Sequence, residues 1–277
     1  MKPRLDNVTL VCVDDWKPHL AFRAIQECLS KCDFAAVKFF TTADFPYAVR
    51  CRPIRSLSDY NCFMVKELLP HIQTSHFLVV HWDGYIVNPK AWEPDFMRFD
   101  YIGPPHFTRD RSRYVVGNGG FSLRSRKLLQ CLAHHEFPLP TEPEDNYICI
   151  RHKWKLHRMG VEFARSKPAE RFAIEGGTMT KEFGFHGFIT KLPAGVNRPR
   201  IFHHSGSLDE IQAALPTIQA LGGGVLFITG KRGLTPGKAK AFIPELNRLD
   251  GIWKASFQSQ VPVSIDYDLD TYAAPAS

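Results

Sequence analysis

Val8-Thr9-Leu10-Val11-Cys12-Val13-Asp14-Asp15 is the stretch on which the fold turns. A run of apolar and β-branched residues closed by two acids has the composition of a strand buried on both faces of a parallel sheet. Working outward, Ala21, Ile25, Cys28, Leu29 and Cys32 recur at helical spacing and predict an amphipathic helix. Ala35–Thr42 reads as a second strand, so the chain opens as β-α-β, a right-handed parallel crossover. Phe45–Leu57 is a loop with Pro46 and Pro53, and Val65, Leu68, Leu69 and Ile72 mark one face of a second helix. The third strand, Phe77–Val80, runs directly into His81-Trp82-Asp83-Gly84. The expectation is an α/β fold, a three-layer, Rossmann-like core with a mainly parallel central sheet.

The rest of the chain is read more coarsely. Ser125–His134 predicts a helix, Glu144-Asp145 opens another that runs to about His152, and Gly160–Ala164 reads as a short strand. From Ser205 the composition shifts, with a helix over Asp209–Leu221, a strand over Val225–Thr229 and a helix over Gly237–Leu249. We therefore expect a core domain over residues 1–204 and an accessory segment over 205–277.

With 277 residues, 44% of them hydrophobic, the chain can bury a sizeable core. The net charge of +7 suits anionic partners. The basic stretches Arg109–Arg113 and Lys231–Lys240 are both interrupted, which argues against a nucleic-acid arm. Seven cysteines, at 12, 28, 32, 51, 62, 131 and 149, follow neither a disulfide framework nor a zinc ribbon. Several lie inside apolar runs, and this favours a reducing compartment. The first apolar run ends at Asp14-Asp15, too soon for a signal core or a span. The expected location is the cytoplasm, with room for peripheral contact at the inner face of a membrane.

Four short elements carry chemistry. Asp83 follows a buried strand, and in open α/β sheets ligands bind at the carboxyl ends of strands. Gly117-Asn118-Gly119-Gly120 lets the backbone come close to another group. Glu144 and Asp145 stand at a helix start, where they either complement the helix dipole or present a general base. His186 lies among glycines and aromatics, as a packed histidine or a metal ligand.

In this order the four elements resemble the common core of the GT-A glycosyltransferases, over about Val8 to His204. The resemblance is to a bacterial branch with a Trp-Asp-Gly turn. It implies an acidic metal motif at His81-Trp82-Asp83, an acceptor-side glycine loop at Gly117–Gly120, an acidic catalytic pair at Glu144 and Asp145, and a metal-binding His186. The usual motif is Asp-x-Asp, and His81 stands where the first Asp would be, so dependence on a metal is left open by the sequence. The implied reaction moves a sugar from a nucleotide-sugar donor to an acceptor hydroxyl. Asp145 acts as base with inversion, in surface polysaccharide or glycolipid synthesis. The implied cofactor is Mn²⁺ or Mg²⁺, held by Asp83 and His186. The nucleotide-sugar would sit on Val13, Asp14, Asp15, Thr41, Thr42, His81, Trp82 and Asp83, beside the start of the helix after Ser58. Arg124 or Lys181 could hold phosphate. The partners implied are the donor and a glycan or glycolipid acceptor, without nucleic acid.

Two other classes fit the same residues. A nucleotidyltransferase shares the β-α-β half and a metal carboxylate, but would need a second metal carboxylate or a basic signature loop. A non-catalytic sugar- or polyanion-binding protein could keep the fold with His81 in place of the acid. Gly224–Lys231 resembles a phosphate-binding loop but has the wrong spacing, with Arg232 where the Ser/Thr belongs.

Overall fold

The computed structural model describes residues 2–16, 18–107, 114–178, 180–191, 201–206, 225–230, 254–258 and 264–268. These fall into two compact units, the first running through Gly187 and the second taking Phe188–Lys191 and the chain from Arg198 onward.

The first unit opens as the sequence predicts, with β1 (Arg4–Val13), α1 (Pro18–Lys31) and β2 (Asp33–Phe40). A short β3 (Ala48–Val49) follows, then α2 (Leu57–Cys62), started by Ser56, whose side chain accepts from Asp59 N–H. Next come β4 (His76–Val80), β5 (Tyr101–Ile102), β6 (Pro105–Phe107), β7 (Tyr114–Val116), β8 (Phe121–Ser125) and α3 (Arg126–Leu132). The unit closes with α4 (Glu144–Asn146), α5 (Lys153–Arg158), α6 (Ser166–Phe172), β9 (Ala173–Thr178) and the first half of β10 (Gly184–Lys191), whose residues from Phe188 belong to the second unit.

The central sheet has the order β3-β2-β1-β4-β8-β5. It is parallel from β3 through β4, and β8 runs antiparallel to both β4 and β5. The fold is thus mixed α/β with a mostly parallel sheet. The chain moves outward from β1 to β2 and β3, then returns to β4 on the other side of β1. The carboxyl ends of β1 and β4 therefore form a topological switch point. Val11, Val13, Phe77 and Val79 pack against Phe63, Met64, Leu68 and Leu129. The alternate residues Leu10, Cys12, Leu78 and Val80 are also buried, so both faces of these strands are covered.

The second unit is a four-stranded sheet of β11 (Ile201–Gly206), β12 (Val225–Gly230), β13 (Lys254–Gln258) and β14 (Ser264–Asp268), in that order. Its first two pairings are parallel and its last is antiparallel. The strand expected at Val225–Thr229 is β12. The expected domain boundary at 204/205 falls inside β11, whose register with β12 continues to Gly206. The helices expected over Asp209–Leu221 and Gly237–Leu249 lie outside the described residues.

Four elements differ from expectation, the first being the helix expected from Glu144 to about His152, which is α-helical only over Glu144–Asn146 and π-helical over Tyr147–Arg151. The second helix is not continuous: α2 widens into a π-helical turn over Phe63–Glu67, and Leu69–His71 is 3₁₀. Three consecutive buried side chains, Phe63, Met64 and Val65, sit in the wide turn, and Pro70 cannot continue an α-helical ladder. Gly160–Ala164 forms no strand; only Phe163 bridges to Tyr101. The helix α6 was not anticipated.

Asp15 ties the end of β1 to the chain that follows β2 and to the chain that follows β3. Its carboxylate accepts from Thr41 Oγ1 and Thr42 Oγ1, each at 2.9 Å, from Ile54 N–H at 2.8 Å, and from Thr42 N–H. Burial opposes its ionisation, but the bonds from Ile54 and Thr42 hold its pKa below the usual carboxylate value. A lowered pKa means the stabilisation is complete above the ordinary Asp value and is lost as pH falls through the folded value. Asp15→Ala leaves two backbone N–H groups without their acceptor. It is expected to lower unfolding free energy by about 2–4 kcal/mol, read by urea denaturation at neutral pH. An unchanged midpoint would refute the clamp.

Candidate functional site

The turn after β4 closes on itself. His81 N–H donates to Gly84 C=O and Gly84 N–H to His81 C=O, both at 3.1 Å, which leaves Trp82 and Asp83 at the tip. The chain beyond is stitched to the segment around β10. Val87 and Asn88 N–H both donate to Phe183 C=O at 3.1 Å, Ile86 bridges to Gly184, and Gly187 N–H donates to Asp83 C=O at 2.9 Å. These backbone bonds carry His186 to the turn. One ligand atom each from His81, Asp83 and His186 lies within 4.8 Å of the others.

The electrostatics of this cluster are uneven. Burial pushes the His81 imidazole down to about 4, helped by the neighbouring His186, so it is neutral at pH 7. Its Nε2 lies 2.8 Å from Tyr60 Oη. His186 is the opposite case. Burial disfavours its charge, but Asp83 and Glu175 hold its pKa well above the ordinary histidine value. Its Nδ1 is 2.9 Å from Glu175 Oε2 and its Nε2 is 3.5 Å from Asp83 Oδ1. Burial likewise opposes ionisation of Asp83, yet His186 keeps its carboxyl below the usual range. The set suits a first-row divalent cation: a neutral imidazole, an ionised carboxylate, and a second imidazole whose far nitrogen is oriented by a carboxylate. His81, which stands where the first Asp of the usual motif would be, is thus part of the cluster.

The glycine loop packs directly against these groups. A Cβ on Gly120 would lie 2.1 Å from the His186 ring, and one on Gly119 would lie 2.5 Å from Glu144 Oε1. Gly120 N–H donates to Asn118 Oδ1 at 2.8 Å, and Gly119 N–H donates to Asp145 Oδ2 at 3.2 Å. Gly117 has φ +154°, and a Cβ there would collide with Cys149.

The acidic pair divides. Glu144 is buried, and its Oε1 accepts from Arg124 Nη2 at 2.6 Å. Burial raises its pKa while Arg124 pulls the other way. Glu144, expected among the catalytic residues, is thus a core ion-pair partner. Arg124, expected as a phosphate ligand, is equally enclosed: it lies over the Tyr101 ring and also bonds Gly119 C=O at 3.3 Å. Asp145 is only half-buried. Its two oxygens accept from Gly119 and Asn146 N–H groups. Lys181 is exposed, away from any bond that would make it a site residue, and its carbonyl accepts from Asn88 Nδ2.

A cleft of about 830 Å³ opens at the switch point. Val13, Asp14, Asp15, Thr42, His81 and Trp82, all expected to line a nucleotide pocket, line it. Thr41 and Asp83 do not: Thr41 is buried beneath, bonded to Asp15, and Asp83 faces His186 in the cluster beside it. Thr42 and Asp15 have their polar atoms engaged with each other, so they shape the wall. Tyr60, at the helix start expected there, also lines the cleft; the sequence reading missed Trp16 and Arg55 in the lining, and Glu175 behind His186. Trp16 directly follows the acids that end β1 and was legible there; Glu175 had no signal.

Gly120→Ala is expected to fold with a cost of about 1–3 kcal/mol and to displace the His186 ring. Mn²⁺ is expected to raise the melting temperature of the wild type, and that upshift should be absent from the variant. A preserved upshift would show that His186 is not a ligand.

No curated protein matches the chain. Residues 47–186 match the model of a family described as "Protein of unknown function (DUF5672)". That match runs from just before β3 to His186, just over half of the 277 residues, and holds Tyr60, His81, Asp83, the glycine loop, Glu144, Asp145 and His186. By the extent of this match the chain belongs to the DUF5672 family.

Proposed function

We propose that the chain is a glycosyltransferase that moves a sugar from a nucleotide-sugar donor to an acceptor hydroxyl, on a three-layer GT-A-like core. One observation carries the reading. His81, Asp83 and His186 converge beside a cleft at the carboxyl ends of β1 and β4, and His81 belongs to both. Nucleotides favour such switch points.

The lining suits that donor. Trp16, Trp82 and Tyr60 offer aromatic surface, and Val13, Ile54 and Leu57 offer apolar surface, to a base and a ribose. Arg55 supplies a cation for a diphosphate. A divalent ion held by His81, Asp83 and His186 would neutralise the charge that develops on the diphosphate leaving group. Two imidazoles with one carboxylate favour Mn²⁺ over Mg²⁺. The chain's own residues do the rest. Glu175 orients His186, Tyr60 orients His81, and the Arg124–Glu144 pair holds the glycine loop through Gly119. Asp145, fixed by Gly119 and Asn146 N–H groups, takes the proton of the acceptor hydroxyl as it attacks. With the base opposite the leaving group, the anomeric centre inverts. A glycan or glycolipid of the cell surface is the acceptor class this reading carries.

The test is transfer and donor hydrolysis by the purified protein with Mn²⁺. Release of nucleoside diphosphate supports the reading, whereas release of pyrophosphate assigns a nucleotidyltransferase. Nucleotide-sugar binding with no turnover against any acceptor assigns a binding protein. Asp145→Asn should bind donor as the wild type does while transfer falls by about 10²–10⁴-fold. Near-normal transfer in that variant would remove Asp145 as the base. His81→Ala should abolish the Mn²⁺-dependent part of donor binding, measured by calorimetry, and leave the fold intact.

A further inference from the structure

The helix α5 buries one residue and turns a different chemistry outward. Leu156 is fully buried. At 100° per residue, Trp154 and Arg158 point away from Leu156. Trp154 is 69% exposed, the most exposed of the large hydrophobic residues described, and Met159, just past the end of α5, is 38% exposed. The Arg158 guanidinium lies over the Trp154 ring at 4.8 Å, and the Lys153 ammonium lies over Phe163 at 5.3 Å. From Arg151 to Arg158 the chain carries Arg151, Lys153, Lys155 and Arg158 and no acid. Arg151 and Lys155 are paired with Glu142 and Glu136, but Lys153 and Arg158 have no carboxylate partner among the described residues.

We propose that this face of α5 docks the protein on an anionic membrane surface. An exposed indole under a guanidinium, with a lysine next to it in the chain, has the pattern of an interfacial anchor: the ring enters the headgroup level while the charges meet acidic lipid. Leaving such a ring in water has no structural return, because α5 is already fixed by Leu156. Charge complementarity decides the occupant. A protein partner of this size would need more contiguous apolar surface than one tryptophan and one methionine. A nucleic-acid platform stacks successive bases on several aromatics, and this face presents one. No helix among the described residues is long and apolar enough to cross a membrane, so contact here is peripheral.

The experiment is co-sedimentation of the full chain with phosphatidylcholine vesicles, with and without phosphatidylserine. Binding is expected only with phosphatidylserine, and it should weaken as salt is raised. Lys153→Gln and Arg158→Gln should each lower binding by about fivefold, and Trp154→Ala by about tenfold. All three side chains lie outside the core, and unchanged melting temperatures will verify that the variants are folded. Arg4→Gln, on an exposed residue of β1, should bind as the wild type does. Equal binding to both vesicle types, no binding to either, or wild-type binding by the three variants would overturn the proposal. So would capture by a single-stranded oligonucleotide that vesicles fail to displace.

Discussion

A guanidinium with 1% of its side chain exposed must have a carboxylate beside it, and in this protein that requirement organises the site. Arg124 projects from β8 into the interior and meets Glu144 from the start of α4. Removing either partner would strand a buried charge, at a cost of about 3–5 kcal/mol. The pair also fixes what lies around it. Arg124 holds Gly119 through its carbonyl, Asp145 holds the same glycine through its N–H, and Asn61 Oδ1 accepts from Glu144 N–H. Sheet, glycine loop and acidic helix are locked by one ion pair and its hydrogen bonds.

From this pair a polar path leads toward the cleft. Glu144 raises the pKa of the buried Tyr60 phenol, after burial itself, and Tyr60 meets His81. On the far side of the cluster Glu175 meets His186. The consequence is asymmetry between two histidines whose rings are 5.8 Å apart. One is kept neutral by its surroundings, and the other is charged between two carboxylates. A site with one net negative charge in this state, from Asp83 and Glu175 against His186, is an attractor for cations. Proton and metal would compete for the same imidazole.

The cleft and the cluster belong together because of topology. Strand order puts β1 beside β4, and both end on the same side. Asp15 then anchors the end of β1 to Thr42 beyond β2 and to Ile54. The walls of the cleft are therefore set by hydrogen bonds inside the protein, and Trp16, Trp82 and Arg55 add aromatic and cationic surface to its lining.

The amino-acid pattern alone determined the opening β-α-β unit, the strand that runs into His81, and the residues at and just after the carboxyl ends of β1 and β4 that line the cleft. These are local: a buried parallel strand must be continuously apolar, and the first polar residue after it must stand at the sheet's edge. It also singled out Asp83, the glycine loop, the acidic pair and His186, though not what each one touches. Only the tertiary structure decided that His81 joins the cluster, that Arg124 is a core cation and not a phosphate ligand, and that Glu144 and Asp145 face different surroundings. It alone supplied Glu175 and the contact of Tyr60 with His81. Those outcomes rest on contacts between segments far apart in the chain: residue 81 with 186, 124 with 144, and 119 with 145. Desolvation and partner charge at such contacts set a side chain's role, and neither is a property of the residue's neighbours in sequence.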